Sequence, residues 1–125
     1  MANKIRAAMQ TALGGNAVTG GREPVKLDEV IRVFPEGISI NGMGQLTYHD
    51  VPYYVYSFVE DPDKYFSGGG DLVKLGDALM DAYGGDLDEI NKDLEESPER
   101  MKIYKIKTKT GRTYTKVRPL WGSEK

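Results

Sequence analysis

At 125 residues the chain has room for one compact domain, since single cores usually occupy about 100–150 residues, and its 39% hydrophobic and 29% charged residues argue against wholesale disorder. The absence of cysteine excludes disulfides and sulfur-built zinc sites, and a single histidine, His49, excludes multi-histidine metal centres, so no enzyme activity, metal or cofactor is expected. A net charge of −2 hides an asymmetry: residues 61–99 carry −9, and residues 101–118 carry +7 with no acid among them.

Lys4 to Leu13 has the apolar spacing of a short helix, and Gly14 to Gly21 is glycine-rich enough to read as a linker, so residues 1–23 are expected to stand apart as a flexible arm. The domain proper is expected over 24–121, with 122–125 as a tail. Val25 to Phe34 suits a strand ending in the Pro35-Glu36-Gly37 turn, and Ile38 to Tyr48 a second strand interrupted near Gly42 and Gly44. Tyr53 to Glu60 is the strongest strand, with β-formers at nearly every position. Asp61-Pro62-Asp63 reads as a turn before a brief strand at Tyr65-Phe66.

Two helices follow. Asp71 is placed to cap the first, whose apolar face is Leu72, Leu75, Leu79 and Tyr83 and whose stop is Gly84-Gly85. Asp86 and Glu89 have capping-box spacing ahead of the Leu87, Ile90, Leu94 stripe of the second. Met101 to Leu120 is expected to form a hairpin. With Thr110 and Gly111 as a two-residue loop, Lys107 faces Tyr114 and Lys105 faces Lys116, so Lys105, Lys107, Lys109, Arg112, Lys116 and Arg118 surround Tyr114 on one face. Tyr104, Ile106, Thr108, Thr113, Thr115 and Val117 then form the core face.

A cationic surface around an aromatic ring suits a polyanion that can also stack, which is the chemistry of sequence-tolerant single-strand binding. Along Tyr53–Glu60, alternation separates Tyr54, Tyr56 and Phe58 from Tyr53, Val55, Ser57 and Val59. The first set is expected to line the binding groove, with Val55 and Val59 inside. Ser67-Gly68-Gly69-Gly70 lacks the lysine of a phosphate loop and reads as a connector. Asp61 with Asp63, and His49 with Asp50, read as turn or loop residues rather than ligands or bases.

Strands, then helix, then a two-stranded ending is the order of an OB-fold, so the expected class is mainly β with helices (α+β), a five-stranded OB-like barrel with a helical insertion between strands three and four. Phe34-Pro35-Glu36-Gly37, the run from Tyr53 to Asp61, the step Tyr65-Phe66-Ser67-Gly68-Gly69, the acidic helix after Tyr83-Gly84-Gly85-Asp86, and the ending from Lys107 to Val117 resemble the small single-stranded DNA-binding proteins of bacteriophages of Gram-positive hosts. The resemblance implies non-catalytic, sequence-tolerant coating of single-stranded DNA, or of RNA, in replication or recombination. It departs from bacterial single-strand binders in lacking an acidic, aromatic-tipped tail.

No run of about 18 apolar residues and no signal-like start occur, so a cytoplasmic location in the host cell without membrane contact is expected. A homo-oligomer is a possible state. The acidic helices could shield the basic hairpin or bind a host or phage protein. The rival reading is a small anti-defence protein that mimics DNA with those helices or sequesters a nucleotide signal.

Overall fold

The computed structural model describes Val18 and residues 20–120; the expected helix at Lys4–Leu13 and the tail from 122 lie outside the described residues. The fold is mixed α+β and mostly β, with one six-stranded sheet and three helices. In chain order these are β1 (Glu23–Pro24), α1 (Leu27–Val33), β2 (Ile38–Tyr48), β3 (Val51–Phe58), β4 (Lys64–Ser67), α2 (Asp71–Ala82), α3 (Leu87–Glu96), β5 (Glu99–Lys107) and β6 (Thr113–Pro119). The sheet order is β1-β4-β3-β2-β5-β6. It is an open sheet of six strands, where five closed into a barrel were expected; the sixth is the two-residue β1, parallel to β4.

The stretch expected as a strand at Val25–Phe34 is the helix α1. Its β-branched residues favour a strand, but Leu27, Val30, Ile31 and Phe34 recur at helical spacing, and Asp28 and Glu29 occupy the first turn with Arg32 in the last. All four apolar residues join the core. Tertiary burial of that stripe outweighs local propensity.

β2 and β3 form a hairpin through His49 and Asp50, both at positive φ (50° and 65°), the backbone of a two-residue primed turn. The interruption expected in β2 is a bulge between Ile40 and Gly42. Beyond it β2 parts from β5, and the Asn91 side chain of α3 takes over: its Oδ1 accepts from Met43 N–H (2.7 Å) and its amide donates to Met43 C=O (2.8 Å). A side-chain amide thus serves one residue of β2 as a neighbouring strand would.

The core lies between the sheet and the helices. Phe66 stacks near Tyr56 (5.8 Å between centroids) and meets Phe58 edge-on (5.5 Å), while Phe34 meets Phe58 edge-on (5.7 Å). Asp86 caps α3 as expected, its side chain accepting from Glu89 N–H at 3.1 Å. Asp71 does not cap α2. The N-cap is Gly70, and the Asp71 carboxylate reaches across to β6, accepting from Val117 N–H (3.0 Å) and Tyr114 O–H (2.9 Å). Gly70 permits this approach, because a Cβ there would stand 2.4 Å from Thr115 O and its φ is +57°. Val18, inside the presumed linker, is only 3% exposed and adjoins Gly42 and Ser57, so the separation expected of Gly14–Gly21 does not extend to it.

Candidate nucleic-acid interface

The hairpin β5–β6 differs from expectation by one residue. Gly111 N–H donates to Thr108 O (2.9 Å), Thr108 N–H donates to Arg112 O (2.8 Å), and Gly111 has φ +83°. This is a three-residue loop, Lys109-Thr110-Gly111, with glycine in the left-handed position of a bulge. Lys107 therefore pairs with Thr113, Lys105 with Thr115 and Ile103 with Val117.

A one-residue slip exchanges the faces of one strand against the other, and the expected ring of six cations around Tyr114 does not form. Lys105 and Lys107 share a side with Met101 and Ile103, which are buried, and with Thr115 and Val117. Tyr114, Lys116 and Arg118 share the other side with Ile106, Tyr104 and Lys102, which are their direct partners. Lys109 and Arg112 belong to the loop. Tyr104 and Ile106, expected in the core, face outward.

The aromatic strand is corrected as well. Tyr56 and Phe58 are 0% and 1% exposed and belong to the core, not to a groove. The Tyr56 hydroxyl is satisfied inside the core, donating to Leu72 C=O in α2. Burial raises its pKa well above the ordinary phenol value. Tyr54 lies flat on α2 at Gly76, where a Cβ would stand 2.3 Å from the ring, and donates to Asp77 at 2.6 Å. That hydrogen bond, aided by burial, pushes its pKa up to about 12. On the opposite face Val55 and Ser57 are buried too, with Ser57 Oγ bonded to Asn41 at 2.8 Å, whereas Val59, expected inside, is 47% exposed.

The tyrosines that do reach solvent were not singled out from sequence. Tyr48 is 67% exposed, Val51 62% and Tyr53 36%. Tyr48 pairs directly with Val51, and Tyr53 shares their face, the one opposite Tyr54 and Tyr56. Val55 is inside as expected, but β3 is buried on both faces from Val55 to Phe58, so alternation alone does not mark Tyr53 as the exposed ring. Tyr48, Val51 and Tyr53 line a surface depression with Ser67 and Gly68, and Ser67 also borders a second depression lined by Lys26, Asp28 and Lys105. Ser67 thus joins the exposed tyrosines to the base of the cationic hairpin.

Electrostatics divides the hairpin bases. Lys105 pairs with Asp28, and Lys116 lies 3.7 Å from Asp71. Lys74 and Lys116 each stand within 6 Å of the Tyr114 ring centroid (5.7 and 5.9 Å). The Asp71 carboxyl is held below its usual pKa, chiefly by the Val117 N–H and further by Tyr114 and the two lysines. Lys102, Lys107, Lys109, Arg112 and Arg118 form no ion pair with a described residue. Shielding by the acidic helices therefore reduces to Asp71, and no acid of α3 takes part.

Among the described residues no group of three His, Asp or Glu side chains converges as a metal site, and no helix is long and apolar enough to cross a membrane. A cavity of about 440 Å³ between α2, α3 and β5 is lined by aliphatic side chains with Asp93 and Glu99, a lining unsuited to a phosphate. Comparison with family models, curated proteins and solved structures finds no match to the chain.

Proposed function

We propose that the protein binds single-stranded DNA without catalysis and with little sequence preference, in the replication or recombination of a phage or prophage. The observation that carries this reading is the continuity of Tyr48 and Tyr53, through Ser67, with a hairpin whose Lys107, Lys109 and Arg112 form no ion pair with a described residue. Exposed rings offer stacking platforms to any base, and unpaired cations track the phosphates.

Strand order supports the same reading. With the short β1 set aside, the strands run β4-β3-β2-β5-β6, and α2 and α3 enter between the third and fourth in chain order, where the insertion of an OB-fold lies. OB-folds take oligonucleotides over strands two and three and between the loops joining strands one to two and four to five. Their counterparts here are β3–β4, the His49–Asp50 turn and the loop after Lys107, the places where the tyrosines and free cations gather.

Fluorescence anisotropy with a labelled oligothymidylate tests the proposal. Tyr53→Ala should weaken binding by about 1–3 kcal/mol while the melting transition holds, and Lys107→Glu with Arg112→Glu should weaken it at least about tenfold and flatten its salt dependence. Tyr56→Ala should instead destabilise the fold by about 3–5 kcal/mol through the cavity it leaves. Absence of binding at low salt, or equal affinity for wild type and Tyr53→Ala, refutes the reading.

A further inference from the structure

Two placements on the surface cost the isolated chain stability. On the outward face of β5–β6, Lys102 lies directly across from Arg118, a like-charge pair. At the far end of α3, Glu95 and Glu96 occupy a last turn that holds no base, so carboxylates sit at the helix's negative pole. Among the described residues Lys102 and Arg118 pair with no carboxylate, and Glu95 and Glu96 pair with no base. Helix α3 packs on β2 through Ile90 and Leu94, its Asp93 lining a cavity with Met101 and Val117 on the inward side of the hairpin, and no acid of α3 forms an ion pair with the outward face of β5–β6.

The hairpin face also has an apolar centre. Tyr104 pairs with Lys116 and Ile106 with Tyr114, and Ile106 is 41% exposed on it. Such a surface is complementary to a carboxylate-bearing helix end, with cations for the acids and side-chain carbon to exclude water around them. We propose that this outward face of β5–β6 docks the acidic last turn of α3 from a second copy of the chain, so that copies associate head to tail. Docking relieves the Lys102–Arg118 repulsion and the placing of Glu95 and Glu96 at the helix's negative pole together. The contact is heterologous, leaving a free hairpin at one end and a free helix at the other, so it propagates until it closes into a ring or extends as a filament. It is independent of the nucleic-acid reading, because it uses none of Tyr48, Tyr53, Lys107, Lys109 or Arg112.

Sedimentation velocity of the full chain, without nucleic acid, tests it. At about 0.01 M salt, where the Debye length is about 30 Å, the weight-average sedimentation coefficient should rise with concentration; at about 1 M, where it is about 3 Å, the chain should be monomeric. Lys102→Glu with Arg118→Glu, and separately Glu95→Lys with Glu96→Lys, should each weaken self-association at least about tenfold. An equimolar mixture of the two variants should restore it, since the reversed hairpin of one then faces the reversed helix of the other. Arg32→Glu, a reversal on α1, should leave association unchanged, which separates the docked face from net charge. If a reversal unfolds the chain, Lys102→Gln with Arg118→Gln must show the same weakening. A wild type that stays monomeric at low salt, a variant that associates as wild type does, or a mixture that remains monomeric overturns the proposal.

Discussion

Asp71→Ala removes the carboxylate whose two hydrogen bonds fasten the edge of β6 to the start of α2. Two hydrogen bonds to a charged acceptor are lost, from Val117 N–H and Tyr114 O–H, and the Val117 N–H is left partly buried without its acceptor. Each such bond contributes about 1.5–3 kcal/mol; because the two share one carboxylate, whose side chain is 17% exposed and so within reach of water, their joint loss should be about 2–4 kcal/mol. For a domain of this size that lowers the melting temperature by about 10–20 °C. Urea and thermal denaturation followed by circular dichroism give the change, and amide exchange at Val117 locates it.

The pH dependence supplies a second check on the same residue. The folded-state pKa of Asp71 lies below the ordinary 3.8, so its stabilisation is present above that value and fades as pH falls through the folded one. Wild type and variant should therefore draw together as pH falls through the folded-state value. A loss under about 0.5 kcal/mol at pH 7, or one that is the same at pH 7 and in strong acid, would refute the account of Asp71 as the clasp of β6.

Two further substitutions probe how the helices seat on the sheet. Asn91→Ala should destabilise by about 1–3 kcal/mol, because both Met43 backbone groups lose their partner; faster amide exchange at Met43, ahead of its neighbours, is the signature. Gly76→Ala should cost about 1–3 kcal/mol by driving a methyl into the Tyr54 ring, and the lost Tyr54–Asp77 hydrogen bond should bring the phenol pKa down from about 12 towards 10.0 in an ultraviolet titration. A variant with native stability and an unchanged titration would mean that the ring does not rest on Gly76.

What could be read from the sequence was whatever rests on local chemistry. The Asp86 cap, the Gly84-Gly85 stop and the strand-forming runs of β2, β3 and β4 all depend on residues within a turn or two of one another. Misreadings arose where a distant contact decides. Helix α1 forms because its stripe has a core to enter. Asp71 turns from cap to clasp because β6, more than forty residues later, presents an N–H to it. The candidate site failed on a single parity: one more loop residue moved Lys105 and Lys107 away from Tyr114, and burial of both faces of β3 left Tyr53, not Tyr54 or Tyr56, facing solvent.

The pairing of β2 with β5 spans only Ile38–Met101, Ser39–Arg100 and Ile40–Glu99. On either side of that seam the sheet is assembled from consecutive chain, β2–β3–β4 on one and the β5–β6 hairpin on the other, and Glu60 braces it by accepting from Ser39 N–H (2.8 Å) and from Arg100 (3.2 Å). Hairpins close within microseconds, whereas partners some sixty residues apart must first meet the entropy of a long loop. Of all the strand pairings this seam closes the longest loop, so its three residue pairs and Glu60 are where the sheet must offset the largest loss of chain entropy.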